Sequence, residues 1–298
     1  MKTVVTVGTF DGVHRGHVAV LEEITRRARG ANRESVLVTF EPHPLEIVNP
    51  QAVPPLLTTA EEKRELLART PVDRVEVLEF TEELRGYPPE RFVREILQQR
   101  FGMGELVIGH DHGFGFGRSG GVELLRTLGA EDGFDVDVVA AVPLPDGRPI
   151  SSTLIRRAIA GGDLATATLA LGRQYSMRGS VEHGAGRGRS IGVPTANVAA
   201  PGHRKLLPPD GVYACRVSAA DRTYGAMVNL GPRPTFGESA RALEAHLFGY
   251  EGDLYGEQVT VAFVSRLRST RKFGSVDELR AQLERDREAA QTALSNTP

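Results

Sequence analysis

The sequence lacks a second cysteine, a surplus of charge of either sign and any long apolar run. A single cysteine, Cys215, excludes an intramolecular disulfide and fits a cytoplasmic location, and we interpret it as a small buried side chain. The formal net charge of −2 gives no reason to expect the broad basic surface that nonspecific nucleic-acid binding requires. No apolar stretch approaches the roughly 20 residues of a membrane span, so no membrane segment is expected.

The length and composition predict two globular domains. The 298 residues suggest about two domains of roughly 150 residues each. Hydrophobic residues make up 40% of the chain and charged residues 25%, which is enough for ordinary cores. The pattern of side chains changes after Gly172, so we predict one domain over 1–172 and a second over 173–298.

The first half alternates apolar strand patterns with amphipathic helix patterns. Strands are predicted at 2–7, 35–40, 72–80, 106–109 and 136–142, and helices at 17–29, 88–101, 122–128, 151–160 and 163–171. Capping-box spacing at 58–62 predicts a further helix that ends near residue 69. This alternation predicts an α/β fold with a doubly wound, Rossmann-like parallel sheet. In such sheets, ligands bind beyond the carboxyl ends of the strands.

The second half consists of short alternating segments separated by glycine and proline. Strands are predicted at 176–182, 212–217, 224–229, 243–248 and 259–264. The pattern is typical of an antiparallel barrel or sandwich, and we predict a β-barrel domain. A terminal helix is predicted from Ser275, with a capping box formed by Ser275 and Glu278.

A His-x-Gly-His segment follows the first predicted strand and opens the first predicted helix. Its candidate phosphate-binding residues are Gly8, His14 and His17. Glycines let the backbone turn sharply, and a helix start offers free N–H groups to an anion. The two imidazoles, three residues apart, suit charge that develops on a transferring phosphate. The alternative is that both histidines are solvated helix caps.

A second polar segment opens a later helix, again just beyond a predicted strand. Ser152 is predicted to cap that helix, with Thr153 beside it. Arg156 lies four residues after Ser152 on the same helix face and is placed to reach the same anion. The alternative is an ordinary N-cap followed by a surface arginine.

The second half contains a glycine-rich segment that runs into Pro-Thr-Ala-Asn. Gly184, Gly186 and Gly188 would expose backbone N–H groups to phosphates, although a surface loop is the alternative. The oxygens of Thr195 and Asn197 lie on one side of an extended strand. Such hard oxygen ligands suit Mg²⁺ held chiefly by substrate phosphates.

A glycine pattern at 115–120 offers a competing interpretation. It matches GxGxxG, and Asp135 and Asp137 follow at about the distance expected of a ribose contact in a dinucleotide-binding fold. These acids begin the next predicted strand, however, whereas the ribose-binding acid belongs at a strand's carboxyl end. We therefore interpret 115–120 as a glycine-rich loop.

These motifs together resemble one known family. Gly8–His17 and Ile150–Arg156 are similar to the HxGH and ISSTxIR motifs of the nucleotidylyltransferase superfamily. The segments 39–44 and 107–115 resemble those of its FMN adenylyltransferase module. The segments 194–197, 229–236 and 243–247 resemble the riboflavin kinase module. In order and extent, the motifs resemble bifunctional riboflavin kinase/FAD synthetase.

The resemblance implies two reactions. ATP would transfer its γ-phosphoryl group to the 5′-hydroxyl of riboflavin, and FMN would then be adenylylated to FAD with release of pyrophosphate, without a covalent enzyme intermediate. Substrates would be riboflavin, FMN and ATP, with Mg²⁺ as cofactor, no nucleic-acid or membrane partner, and a monomer or transient homo-oligomer.

The resemblance also implies roles for individual residues. In the adenylyltransferase, ATP would be held by Gly8, Phe10, Asp11, His14, His17, Ser152, Thr153 and Arg156, and the flavin would lie near His43 and Asp111. In the kinase, Gly184, Gly186 and Gly188 would bind ATP, Thr195 and Asn197 would hold Mg²⁺, and Glu244 would be the general base. Departures from the family pattern at His112, Gly113, Gly249 and 269–271 leave the flavin contacts open.

Two alternatives to this function remain open. One keeps both folds but transfers a nucleotidyl group to a different acceptor. The other is a flavin-binding or regulatory protein without turnover. The Pro-Thr-Ala-Asn segment speaks against the first, and the intact set of polar motif residues speaks against the second.

Overall fold

The computed structural model describes residues 2–110, 121–183, 193–202, 204–219, 222–232 and 241–297. It divides into two compact units, one formed by Met1–Pro54 with Thr58–Ser152, the other by Pro55–Leu57 with Thr153–Pro298. The domain boundary after residue 172 stays a prediction.

A five-stranded parallel sheet forms the centre of the first unit. Its strands are β1 (Thr3–Val7), β2 (Glu34–Glu41), β3 (Arg74–Glu79), β4 (Met103–Gly109) and β5 (Asp135–Val139). The spatial order is β3-β2-β1-β4-β5. The chain moves outward on one side of β1 and then on the other, so the switch point lies between β1 and β4, where such sheets bind ligands.

Helices connect these strands. They are α1 (Arg15–Gly30), α2 (Pro44–Val48), α3 (Ala60–Leu67), α4 (Glu82–Arg85), α5 (Pro89–Arg91) and α6 (Val122–Asp132), with a 3₁₀ turn at Pro50–Ala52. The predicted helix at 88–101 is mostly a π-helix over Phe92–Arg100. The first helix begins at Arg15, two residues earlier than predicted.

Each face of the sheet buries its own core. Val5, Val7 and Phe40 pack on one face, whereas Val4 and Leu37 pack on the other with α1. Successive strand residues therefore enter opposite cores, as expected for a sheet covered by helices on both sides. This confirms the predicted doubly wound α/β fold.

The second unit contains a closed antiparallel barrel. Its strands are β6 (Tyr175–Glu182), β7 (Ala196–Ala199), β8 (Gly211–Ala219), β9 (Arg222–Pro232), β10 (Arg241–Leu247) and β11 (Gln258–Arg268). They close in the order β10-β7-β6-β11-β8-β9. Cys215 lies fully buried in β8, and its burial raises the pKa of the thiol well above its ordinary value.

Within the described residues, the helices that accompany the barrel strands are α7 (Ser152–Ala160), α8 (Leu164–Leu171) and α9 (Val276–Ser295). Helix α8 packs against β6 and β11. The Ser275 hydroxyl caps α9 by accepting from Glu278 N, but the Glu278 carboxylate accepts from Gly274 N at 3.0 Å. The predicted capping box is thus wrong in its second half.

A short segment from the first half of the sequence pairs with the second unit. Leu56 N donates to Arg204 O at 2.7 Å, and Leu206 N donates to Leu56 O at 2.9 Å. The buried Lys205 ammonium adds a 2.7 Å hydrogen bond to Leu57 O. Pro55–Leu57 therefore forms a parallel bridge beside 204–206.

Among the described helices, none combines the length and the apolar character that crossing a bilayer requires.

Candidate active sites

The loop between β1 and α1 holds an unusual backbone conformation. Phe10 and Val13 have φ values of 50° and 36°, and Gly12 lies at 84°. Left-handed backbone at non-glycine residues costs about 1–3 kcal/mol each, and it persists only where surrounding contacts enforce it. Both Phe10 and Val13 are buried, so the loop is held in one shape at the switch point of the sheet.

Hydrogen bonds from Thr58 and Thr39 enforce this conformation. The Asp11 carboxylate is 4% exposed, and one of its oxygens accepts from both Thr58 N and Thr58 Oγ1. Thr58 Oγ1 accepts in turn from Gly12 N at 3.1 Å. The Thr39 hydroxyl donates to Thr9 O at 3.2 Å. The capping box predicted at 58–62 is confirmed, with Thr59 as the N-cap of α3 and Glu62 as its partner, whereas the bonds of Thr58 to Asp11 and Gly12 had no signal in the sequence.

His14 and His17 form a reciprocal cap at the start of α1. His14 Nδ1 accepts from His17 N at 3.3 Å, and His17 Nδ1 accepts from His14 N at 3.4 Å. Their rings stack with centroids 3.6 Å apart. Because both Nδ1 atoms accept, the proton of each neutral ring is on Nε2, which is then a hydrogen-bond donor. The cap alternative is correct in geometry, but His14 is only 5% exposed and is not a solvated cap.

Two glycines make room for these rings. A Cβ atom on Gly16 would come within 3.2 Å of the His14 ring, and one on Gly8 within 3.1 Å of the Phe10 ring. Phe10 in turn lies against His17, with ring centroids 4.8 Å apart. The glycine of His-x-Gly-His thus allows the two imidazoles to stack.

The structure connects Ser152 to this loop. Ser152 Oγ donates to Asp11 O at 3.0 Å. The prediction that Ser152 caps its helix is wrong, because α7 begins at Ser152 itself and its hydroxyl faces Asp11. Thr153 and Arg156 belong to the second unit, where Thr153 is exposed and Arg156 Nε donates to Pro55 O at 2.9 Å.

His43 follows the carboxyl end of β2 and caps α2. Its Nδ1 accepts from Leu45 N at 3.2 Å, and Glu46 Oε1 accepts from His43 N at 3.2 Å. Its ring is therefore oriented by the backbone in the same way as those of His14 and His17. The adjacent Glu41–Pro42 peptide bond is cis.

A buried lysine contacts the carboxyl end of β2, and sequence reasoning missed it. Lys63 on α3 is 8% exposed, and its ammonium donates to Phe40 O at 2.8 Å. Burial lowers the pKa of Lys63, although the nearby carboxylates of Glu41 and Asp11 act in the opposite direction. Nothing in the sequence pattern distinguishes Lys63 from the exposed charges of the same helix.

The barrel places polar side chains from four neighbouring strands in one row. Glu244 of β10 pairs in register with Asn197 of β7 on one side and with Asn229 of β9 on the other. Asn197 also pairs with Glu182 of β6. Directly paired residues project to the same face of a sheet. Glu244, Asn229 and Glu182 are exposed and Asn197 is half-buried, so the row lies on the outer face of the barrel.

This row fits the chemistry predicted for it. Thr195, half-buried, directly precedes β7, so its hydroxyl, the Asn197 amide oxygen and the Glu244 carboxylate come from paired, adjacent strands. Hard oxygen donors of this kind suit Mg²⁺ bound mainly through phosphates. Over the described ranges, no group of three or more His, Cys, Asp or Glu side chains could hold a metal by itself. Asn229, which lies in the motif segment 229–236, joins this row through its pairing with Glu244, and the sequence alone gave no signal of that position.

Some predicted residues lie outside the described parts of the chain. They are Asp111, Gly184, Gly186 and Gly188, together with the glycine pattern at 115–120. Asp135 and Asp137, the acids considered for a ribose contact, lie within the described part of the chain. Asp135 begins β5, and Asp137 forms an ion pair with Arg27, which also bonds Glu105 at 2.6 Å. Asp137 therefore contributes to an ion-pair cluster that links α1 to the sheet.

Comparisons with known proteins cover both units. Residues 1–154 match the family model described as FAD synthetase, and residues 171–294 match the one described as riboflavin kinase. Bifunctional riboflavin kinase/FMN adenylyltransferase of Escherichia coli (strain K12) is 38% identical over 284 residues, covering 95% of this chain and 90% of the relative. Its counterpart in Pseudomonas fluorescens is 38% identical over 288 residues, covering 96% and 91%.

A solved structure matches the same extent. "Crystal Structure of Macrolide-efflux Protein from Streptococcus pneumoniae" aligns with a TM-score of 0.87 and 32% identity, covering 97% of this chain and 94% of that one.

The two matched family models, one for each half of the chain, define a two-part transferase. The chain belongs to the family of bifunctional riboflavin kinase/FMN adenylyltransferases. Family membership confirms the resemblance predicted from the motifs.

Proposed function

We propose that the chain phosphorylates riboflavin to FMN and adenylylates FMN to FAD, consuming ATP in both reactions. The observation that carries this proposal is that each unit assembles its own set of polar motif residues. The histidine pair and Asp11 lie at the switch point of the sheet, and Asn197 and Glu244 lie side by side on the barrel.

In the adenylyltransferase, FMN's phosphate attacks the α-phosphorus of ATP and pyrophosphate leaves. The Nε2–H groups of His14 and His17 donate to phosphate oxygens as negative charge develops on them. Gly8, Phe10 and Asp11 shape the loop that receives the nucleotide. Ser152, Thr153 and Arg156 bind the phosphates, with His43 and Asp111 near the flavin. Because no protein nucleophile takes part, the residues act by positioning and charge stabilisation.

In the kinase, Glu244 accepts the proton of the riboflavin 5′-hydroxyl as that oxygen attacks the γ-phosphorus of ATP. Thr195 and Asn197 would hold Mg²⁺, which neutralises charge on the phosphates when bound. Gly184, Gly186 and Gly188 would contact ATP through backbone N–H groups. A carboxylate is an effective base here only if it is held within hydrogen-bond reach of the hydroxyl. The register of Glu244 beside Asn197 supports that placement.

The wider assignment completes the proposal. The adenylyltransferase domain would extend over 1–172 and the kinase domain over 173–298. We propose a cytoplasmic protein, since its single cysteine fits a reducing compartment. We propose that it acts as a monomer or transient homo-oligomer on small molecules only, without nucleic-acid or membrane partners.

Product analysis tests both activities. Purified protein is incubated with Mg-ATP and either riboflavin or FMN, and the flavins are separated by chromatography. His17→Ala should abolish conversion of FMN to FAD while riboflavin is still phosphorylated. Asn197→Ala should do the reverse, so each variant is the control for the other.

Three outcomes would contradict the proposal. Riboflavin left unchanged by the wild-type protein would indicate a flavin-binding protein without turnover. Transfer of a nucleotidyl group to an acceptor other than FMN would change the substrate assignment. Loss of the opposite activity in each variant would reverse the assignment of the two units.

A further inference from the structure

A buried histidine lies beside the polar row of the barrel. His246 is two residues after Glu244 on β10, and it is 9% exposed. Its Nδ1 lies 2.8 Å from Pro194 O, and its Nε2 lies 3.3 Å from an Nη atom of Arg287 on α9. The ring therefore bridges the terminal helix and the residue that precedes Thr195.

These two partners fix which ring nitrogen carries the proton. A guanidinium group has only donors, so Arg287 requires Nε2 of His246 to accept. A carbonyl oxygen only accepts, so Pro194 requires Nδ1–H to donate. Both bonds form together only in the neutral Nδ1–H tautomer. His14 and His17 have the opposite arrangement, because their Nδ1 atoms accept from backbone N–H groups.

The bond to Pro194 holds a segment that the barrel ladder does not reach. Pairing between β7 and β10 begins with Ala196 opposite Ala245. Pro194 and Thr195 lie just before that first pair, and Pro194 is exposed. The hydrogen bond from His246 therefore extends the attachment to β10 by two residues, past Thr195.

We propose that His246 is a positioning residue for riboflavin phosphorylation: it holds the Pro194 carbonyl and thereby places the oxygens of Thr195 and Asn197 beside Glu244. Arg287 orients the ring, and a 3.5 Å ion pair with Glu284 helps to hold Arg287. Residues that orient metal-binding groups typically contribute about 10–100-fold to metal affinity or activity. The proposal rests on the proposed kinase function.

Two amide substitutions separate the two bonds of the ring. In His246→Asn, the side-chain amide lies near the position of Nδ1 and still donates to Pro194 O. In His246→Gln, the side-chain amide lies near the position of Nε2. It still accepts a hydrogen bond from Arg287 but no longer donates one to Pro194 O. We expect His246→Asn to retain kcat/KM for riboflavin phosphorylation within about 3-fold and His246→Gln to lose about 10-fold or more.

Two measurements do not depend on turnover. Calorimetric titration with Mg-ADP should show weaker binding to His246→Gln, by about 10-fold, and near wild-type binding to His246→Asn. Imidazole ¹⁵N NMR of the wild-type protein at about pH 8, where free imidazole is neutral, should show the proton on Nδ1.

Arg287→Met should shift part of the His246 population to the Nε2–H tautomer and lower kcat/KM for riboflavin phosphorylation several-fold.

Conversion of FMN to FAD should be unchanged in all three variants, because that reaction belongs to the other unit, and circular dichroism with thermal unfolding should show that the barrel of each variant is folded. Equal Mg-ADP affinity in His246→Asn and His246→Gln would overturn the proposal, as would an Nε2–H tautomer in the wild-type protein. Both readouts are independent of riboflavin turnover. A wild-type protein that fails to phosphorylate riboflavin would therefore defeat the proposed function separately.

Discussion

Thr58 donates two hydrogen bonds to the same carboxylate oxygen of Asp11, one from its backbone N–H and one from its hydroxyl, each 3.0 Å long. The hydroxyl oxygen also accepts from Gly12 N. One side chain, distant in sequence, therefore satisfies both a buried acid and a backbone donor in a loop with left-handed residues at Phe10 and Val13.

We predict that Thr58→Val lowers both stability and FAD formation. The variant keeps its backbone donor but leaves the buried Asp11 with one donor fewer and removes the acceptor of Gly12 N, which should cost about 1–3 kcal/mol. The free energy of unfolding and the rates of both reactions would be measured. Thr58→Ser keeps the hydroxyl and is the matched control. Equal FAD formation in the two variants would contradict the importance of this hydroxyl.

We predict that Glu244→Gln removes the base for riboflavin phosphorylation. The rate should fall by about 10²–10⁴-fold, the usual contribution of a positioned general base. Stability should hardly change, because the side chain is exposed. Glu182→Gln, at the end of the same row, is the control and should stay within about 3-fold. A larger loss in the Glu182 variant would show that Glu182, and not Glu244, is the base.

We predict that Asp286→Ala detaches α9 from the barrel. Asp286 is 3% exposed. Its carboxylate accepts hydrogen bonds of 2.6 to 3.0 Å from the Arg268 guanidinium and one of 2.7 Å from Gln282 Nε2. Removing one partner of a buried pair leaves an uncompensated charge and should cost about 3 kcal/mol in unfolding free energy.

The exposed pair Arg91–Glu95 supplies the control for that experiment. Glu95→Ala should change stability by less than about 0.5 kcal/mol, because ion pairs in water contribute little. Hydrogen exchange along α9 should accelerate only in the Asp286 variant. Unchanged exchange there would show that apolar packing alone holds the helix.

We predict that Glu23 contributes to acid sensitivity. A hydrogen bond from Arg26, aided by Arg27, lowers the pKa of Glu23 to about 2 against the opposing effect of burial. Since this carboxylate protonates in the unfolded chain near its ordinary value of 4.5, its stabilising contribution is complete above that pH and is lost as the pH falls to about 2.

Urea unfolding at several pH values tests this sign. The difference in unfolding free energy between wild type and Glu23→Gln should be largest at neutral pH and should shrink between about pH 4.5 and 2. Glu22→Gln, the exposed neighbour, controls for loss of one negative charge. A difference that is independent of pH would contradict the prediction.

Much of the architecture was predictable because its signals are local. The strand at 35–40 is a short apolar run bounded by polar residues, and β2 covers it with one residue more at each end. The His14–His17 spacing likewise predicted a shared helix face, and the two rings stack. The π-helix at Phe92–Arg100 has no comparable local signal.

The contacts that were missed join residues far apart in the chain. Nothing near Glu244 indicates that Asn197 will be its ladder partner, because strand register is decided by the whole barrel. The same holds for Lys63 beneath Phe40 and for His246 against Pro194, whose importance appears only after burial and partners are known.

The bridge formed by Pro55–Leu57 constrains how the protein can be dissected. Leu57 is bonded by Lys205, and the next residue, Thr58, holds Asp11. A truncated gene that stops after residue 172 would delete every partner in 204–206 and leave the backbone of Leu56 without its bridge. Expressing the two catalytic halves separately therefore requires redesign of residues 55–57 as well as a choice of cleavage point.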